Sequence, residues 1–256
     1  MIKNEFENIT LYNGECIEIM KTLQDKSIDM ILCDLPYGVL NKSKEEAQWD
    51  SIIPMHDLWE QYKRVIKDKG NIVLFAQGLF TAELIISNKK MWKYNLVWKK
   101  GKRVTGFLNS NRQPLRQHED IIIFNTGQGT YNPQMITENT VHHRGGEKNN
   151  CYGKSTPLEV IYSNQRYPAS ILDFDKDLKQ VHPTQKPINL LRWLIRTYSN
   201  ENETILDNTM GSGSTMVACV REKRKGIGIE LTKKYYDIAV ERVKGAQNNT
   251  TTFDYL

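Results

Sequence analysis

Between Thr204 and Lys244 the chain alternates short apolar runs with helical stretches, and this alternation restricts the fold more than any other feature. Thr204-Ile205-Leu206 reads as a strand, Ser214 to Glu222 as a helix, Gly226-Ile227-Gly228-Ile229-Glu230 as a strand and Thr232 to Lys244 as a helix. Consecutive strand–helix units of this kind imply an α/β fold, a mostly parallel sheet with helices on both faces. The N-terminal half repeats the pattern. Strands are expected at Met30 to Cys33, Asn71 to Ala76, Asn95 to Trp98 and Asp120 to Phe124, with helices near Met55 to Lys67 and Phe80 to Asn88. A further helix runs from Pro187 to Tyr198, where proline in the first turn suits a helix start. At 256 residues there is room for one sizeable core with a modest insertion, rather than for two independent domains.

The periodicity fails from Asn125 to Val181, a stretch rich in Gly, Asn, Gln, Ser, Thr and Pro with scattered aromatics, which reads as the insertion. The expected division is therefore 1–124 and 182–246 as two halves of one domain, 125–181 as the insertion and 247–256 as a frayed tail. No apolar run approaches a membrane span and the N-terminus is charged, so a soluble, cytoplasmic protein is expected. Cys16, Cys33, Cys151 and Cys219 lie far apart without a CxxC pair, against both a disulfide framework and a zinc ribbon. The net charge of +5 is mild, but Lys99 to Ser170 carries ten Lys or Arg against five acids. That one stretch holds an excess equal to that of the whole chain.

Two motifs carry chemistry. In the first, a strand ending in Asp207 leads through Asn208-Thr209-Met210-Gly211-Ser212-Gly213 into a helix, a geometry that lets a ligand approach backbone amides closely. The next strand ends in Glu230, placed to accept hydrogen bonds from ribose hydroxyls. Taken alone, Gly211 and Gly213 equally suit an ordinary tight turn. The loop lacks the third glycine of a pyrophosphate site and any Gly-Lys-Ser or Gly-Lys-Thr, which favours a cofactor without phosphates, S-adenosylmethionine being the obvious candidate.

The second motif, Asp34-Leu35-Pro36-Tyr37, directly follows an apolar strand, so Asp34 should project from the C-terminal edge of the sheet, where ligands bind. The exocyclic amine of adenine or cytosine is a poor nucleophile because its lone pair is delocalised into the ring. A carboxylate accepting one N–H, with a main-chain carbonyl beside Pro36 accepting the other, would free that lone pair. Tyr37 offers a face for an extruded base, worth roughly 1–3 kcal/mol per stacked base, and Pro36 stiffens the turn.

With both motifs in view, the chain resembles the DNA amino-methyltransferases, which transfer a methyl group from S-adenosylmethionine to adenine N6 or cytosine N4. Asp34 to Tyr37 matches their catalytic motif and Asp207 to Gly213 their cofactor motif. Catalytic motif first and cofactor motif last is the order of the beta class, whose His-Pro-Thr-Gln-Lys-Pro segment stands intact at His182 to Pro187. The resemblance implies a Rossmann-like methyltransferase fold with circularly permuted motif order and a small inserted recognition region. It implies Asp34, Pro36 and Tyr37 as catalytic. It also implies that Glu15, Cys16, Asp34, Thr184, Lys186, Asp207, Gly211, Ser212, Gly213, Ser214, Thr215 and Glu230 surround the cofactor, with Thr184 and Lys186 at its methionine end. Glu15 stands where the family has Asp more often, and Leu35 replaces the first proline of the catalytic motif.

Asp at position 34 favours adenine over cytosine within that family. Direct transfer needs neither a metal nor a cysteine nucleophile, and His142, His143 and Cys151 read as solvated loop residues rather than ligands. The basic segment supplies Lys100, Lys102, Arg103, Asn111, Arg112 and Arg116 for double-stranded DNA, the cations suiting phosphates and Arg and Asn also base edges. His118-Glu119 is expected to shape the base pocket. The leading reading is thus a sequence-specific adenine-N6 methyltransferase acting on a flipped base. Cytosine-N4 methylation and a non-catalytic DNA-binding module on the same scaffold are the alternatives, RNA and protein-glutamine methylation being disfavoured by motif order. A homodimer is compatible with the resemblance, but no apolar stripe in the sequence demands one.

Overall fold

The computed structural model describes residues 2–38, 52–144, 161–177 and 185–248. They fall into two units, Met1–Asn132 with Ser170–Leu256, and Pro133–Ala169. The first unit holds strands β1 (Ile2–Glu5), β2 (Ile9–Asn13), β3 (Ile28–Asp34), β4 (Ile66–Ala76), β5 (Trp92–Lys99) and β6 (His118–Phe124). The second unit contains β7 (Ile136–Arg144) and β8 (Ile161–Arg166), and the first resumes with β9 (Ile171–Asp173), β10 (Thr204–Asp207) and β11 (Lys225–Glu230). Helices α1 (Cys16–Lys21), α2 (Met55–Val65), α3 (Leu79–Ser87), α4 (Ile188–Tyr198), α5 (Ser214–Arg221) and α6 (Lys233–Asn248) complete the first unit.

Among the described residues, nine strands form one sheet in the order β1-β2-β11-β10-β3-β4-β6-β5-β9. From β2 through β4 every pairing is parallel, whereas β6 runs antiparallel to both of its neighbours. The central strands are apolar at nearly every position because both faces are covered. Val73, Phe75, Ile121 and Ile123 point into a core completed by α4, α5 and α6, while Ile72, Leu74, Ile122 and Phe124 point into one completed by α1, α2 and α3. Each such side chain gains about 1.5–3 kcal/mol from burial. The helices meet these cores along single stripes: Leu58, Trp59, Tyr62 and Val65 on α2, and Leu190, Leu191, Leu194, Ile195 and Tyr198 on α4.

The topology locates the site. From β10 the chain passes through α5 to its neighbour β11, and from β3 through α2 to its neighbour β4 on the other side. Strand order therefore diverges between β10 and β3, and open α/β sheets bind ligands at such a switch point, beyond the carboxyl ends of the strands.

The two ends of the expected insertion belong to the first unit. Asn71 donates to the Thr130 carbonyl at 2.8 Å, Asn125 donates to Asn71 at 3.1 Å and Asn132 N–H to the Thr197 carbonyl at 2.8 Å, while β9 pairs with β5. The separate unit is accordingly 133–169 rather than 125–181, because the flanking polar residues spend their hydrogen bonds on the main sheet. That unit contains an antiparallel pair, β7 with β8, in which Arg166 meets Glu138 at 2.5 Å. The chain from 247 is not all tail, since α6 continues to Asn248; residues 249–256 lie outside the described residues. Among the described residues, no helix is long and apolar enough to cross a membrane.

Candidate active site

Parallel pairing of β3 with β10, Met30 opposite Ile205 and Ile31 opposite Leu206, brings the two motifs to the same sheet edge although they lie far apart in sequence. The loops are then tied together. Thr209 Oγ1 donates to the Asp34 carbonyl at 3.0 Å, Cys33 Sγ to Asn208 Oδ1 at 2.9 Å and Tyr62 hydroxyl to the same oxygen at 2.6 Å. Both motifs line one cavity of about 620 Å³, within the usual range for small-molecule sites.

Asp34 sits at the end of an alternating row of charges in which the two lysines are buried and the two acids partly so. Lys100 meets Glu119 at 2.6 Å, Glu119 meets Lys186 at 3.2 Å, and Lys186 pairs with Asp34 Oδ2. The other Asp34 oxygen accepts the Tyr37 hydroxyl at 2.7 Å. Burial raises the Asp34 carboxyl above its ordinary value, Glu119 adds to the rise, and Lys186 and Tyr37 restrain it. Burial by itself would lower the Lys186 ammonium, but Asp34 and Glu119 outweigh it and hold the cation. Glu119 is driven below its ordinary value because Lys186 and Lys100 overcome burial. Tyr37 lines the cavity with its ring backed by Phe80, centroids 5.0 Å apart, and Leu35 fills a core position at 4 % exposure. The side chain at position 35 serves packing, which explains why leucine can stand where a proline is expected.

The glycine loop is braced from behind. Gly211 and Gly213 take positive φ, and the Gly211 amide donates to Glu230 at 3.0 Å, while the Thr232 amide donates to its other oxygen at 2.7 Å. Arg242 donates to the Ser212 carbonyl, Ser212 Oγ and Ser214 Oγ at 2.7, 2.9 and 3.0 Å. The loop's adjacent cation is thus committed within the protein. Together with the acids Glu15, Asp207 and Glu230 and the apolar Met210 and Leu231 on the cavity wall, this donor set suits a phosphate-free, cationic nucleoside and not a pyrophosphate. Asp207 is 3 % exposed; burial pushes its carboxyl up to about 7 against the Thr215 hydroxyl and the Thr209 amide. Burial also raises Glu230.

Glu15 lines the cavity, yet its carboxylate is used as the N-cap of α1, accepting Ile17 and Glu18 amides at 3.0 and 2.9 Å. Cys16 beside it is buried, its thiol pushed up to about 12 by burial, a neutral group unsuited to nucleophilic attack. Lys186 lies on Asp34 and Glu119 and lines the same cavity as the glycine loop, and Thr184 lies outside the described residues with His182 and Pro183. Lys100, expected among the exposed DNA contacts, is instead 2 % exposed, over the Trp98 ring, paired with Glu119 and part of the cavity wall. Lys102, Arg103, Asn111, Arg112 and Arg116 are exposed, and Arg116 also lines the cavity. Sequence reasoning overlooked Phe75 and Trp98 as walls, since two strand aromatics carry no signal apart from their neighbours.

The sequence model of the DNA methylase family, N6_N4_Mtase, matches residues 28–241. The Type II methyltransferase M.HpaI of Haemophilus parainfluenzae is 29 % identical over 94 % of this chain and 76 % of its own length. The DNA adenine methyltransferase YhdJ of Escherichia coli is 25 % identical over 93 % and 84 %. Among solved structures, PvuII DNA methyltransferase (cytosine-N4-specific) superposes with a TM-score of 0.68 at 14 % identity over 95 % of this chain and 93 % of that one. The M1.HpyAVI–SAM complex gives 0.61 at 22 % identity over 91 % and 99 %. The Asp34-Leu35-Pro36-Tyr37 tetrapeptide at the end of β3, the glycine loop after β10 and one shared cavity agree with these likenesses: the chain belongs to the DNA methylase family, as a beta-class amino-methyltransferase.

Proposed function

We propose that the protein methylates adenine N6 of a base extruded from duplex DNA at a specific sequence. The observation that carries this reading is Asp34, held at the switch point of the sheet by Tyr37, Lys186 and the Thr209 hydroxyl, within one cavity with the glycine loop. S-adenosylmethionine, when bound, supplies a methyl group activated by its sulfonium. Glu230, Asp207, Gly211 and Ser212 would hold that molecule, with Cys16 and Leu231 against its base. Asp34 and the carbonyl beside Pro36 accept the two amine hydrogens of the target, and Tyr37 stacks on its ring. Because burial makes Asp34 more basic than a surface aspartate, it also suits removal of the proton that the methylated nitrogen must shed. Lys186 keeps it ionised until then.

Adenine is supported by Asp at position 34 and by the likeness to YhdJ, a DNA adenine methyltransferase; the PvuII likeness, at 14 % identity, bears on fold alone. The exposed Lys102, Arg103, Asn111, Arg112 and Arg116 support contact with the duplex beside the cavity. The relatives named are bacterial, and a duplex substrate in such cells lies in the cytoplasm, the location we assign. The test is transfer of labelled methyl from S-adenosylmethionine to duplex DNA followed by mass analysis of the nucleosides. N6-methyladenine is expected, and Asp34→Ala should abolish transfer while calorimetry shows the cofactor still bound. N4-methylcytosine would replace adenine as the target, and no labelled DNA from the wild type would sink the reading.

A further inference from the structure

Phe107 and Leu108 stand 65 % and 98 % exposed at the tip of the segment between β5 and β6. Single exposed apolar residues are ordinary, but this pair is carried differently from a frayed loop. Lys100 N–H donates to the Gln117 carbonyl at 2.9 Å, and Thr105 and Arg116 exchange backbone hydrogen bonds at 2.8 and 2.9 Å, forming a stem. Above it Gly106, at φ +93°, turns the chain into a 3-10 turn over Phe107–Asn109, closed by Asn109 N–H on the Gly106 carbonyl and Ser110 N–H on that of Phe107, at 3.0 and 3.2 Å. The stem residues Thr105 and Arg116 line the cavity that holds Asp34 and Tyr37; the two tip residues do not. The tip is therefore a stiff, apolar projection rooted at the cavity wall.

Its surroundings select a partner. From Lys99 to His118 the chain has no carboxylate, while Lys102, Arg103, Arg112 and Arg116 are exposed on the same segment as the tip. An apolar point on a segment whose exposed charges are all cations suits a polyanion with an apolar gap in it. Two copies meeting through this surface would instead bring like charges together.

We propose that Leu108, with Phe107 behind it, is the wedge that enters the duplex where the target base has left. This rests on the base-extrusion reading above. Removing a base strips its neighbours of a stacking partner, and apolar side chains inserted between base steps are a general means of holding a duplex so opened. The flanking cations hold the phosphates on either side.

The target site is obtained by selecting bound duplexes from a random pool, which requires no methylation. Duplexes carrying 2-aminopurine at each adenine of that site then report extrusion as a fluorescence rise. For Leu108→Ala and the double variant Phe107→Ala/Leu108→Ala, the rise on a matched duplex should largely disappear. Methylation of the matched duplex should slow about tenfold or more, while a duplex whose target base faces an abasic position stays within about twofold of wild type, because extrusion there is already cheap. Equal loss on both duplexes, or an unchanged fluorescence rise, overturns the wedge. So does a change in sedimentation of the free protein, which would assign the tip to self-association. A wild type that raises fluorescence yet transfers no methyl overturns the methylation reading and leaves the wedge standing.

Discussion

Lys186 reaches Asp34 across 152 residues of chain, and that contact changes what each residue is for. Its ammonium neutralises the Asp34 carboxylate and shares Glu119, so removing it leaves two partly buried acids without their common cation. On the proposed reading Asp34 must be ionised to accept the target's N–H, and without the cation its carboxyl rises further from its ordinary value. For Lys186→Gln we expect the acid limb of kcat/KM to move to higher pH, so that the deficit against wild type shrinks as pH increases, and Lys186→Arg to restore most of the profile. An unchanged pH profile with only the KM for S-adenosylmethionine raised would return Lys186 to the cofactor's carboxylate, where the family resemblance placed it.

At the scale of elements, Gly213 is the position where backbone conformation and packing coincide. It takes φ +79° as it leads into α5, and a Cβ there would stand 2.8 Å from Ala239 Cβ on α6. Gly213→Ala therefore meets both left-handed strain and a clash with a rigid helix, and should lower stability by about 1–3 kcal/mol. Urea unfolding measures this, and a wild-type midpoint would show that α6 yields. The loop was legible because its glycines, its flanking strands and Glu230 all lie within one stretch. So were the stretches of β3, β4 and β6 that are apolar on both faces, residues 30–33, 72–76 and 121–124. The strands β1 and β2 passed unnoticed because β1 lies at the sheet edge, largely exposed, so Ile2-Lys3-Asn4-Glu5 shows no apolar run, and β9 is three residues long. The order Lys100, Glu119, Lys186, Asp34 was illegible for a different reason: each member carries its own role from its own motif, and only the folded sheet brings the four separate segments into one row. Glu15 shows how local the ambiguity can be, since one carboxylate serves equally as a cofactor contact or as a helix cap.

For the molecule as a whole, the switch point that gathers the site also concentrates acids in its interior, and the folded state carries the penalty. Asp207 shows the effect most clearly. An aspartate in the unfolded chain titrates near 3.9, whereas burial places Asp207 at about 7 in the folded protein. Between those values the folded protein binds the extra proton, so its stability falls as pH rises. The contribution is fully present below about pH 4 and is lost as pH passes through about 7. At roughly 1.4 kcal/mol per pKa unit, the loss is on the order of 4 kcal/mol at most. Asn at this position keeps an acceptor for the Thr209 amide, 3.1 Å away, without the charge. Asp207→Asn should therefore be more stable than wild type above pH 7, with the difference closing towards pH 4. Urea unfolding midpoints of the cofactor-free proteins from pH 5 to 8 measure it. Parallel curves for the two proteins would mean that Asp207 ionises without penalty, its charge satisfied by the loop amides and the Thr215 hydroxyl. The cost of building the site would then fall elsewhere, with the row of charges from Lys100 to Asp34 as the remaining candidate.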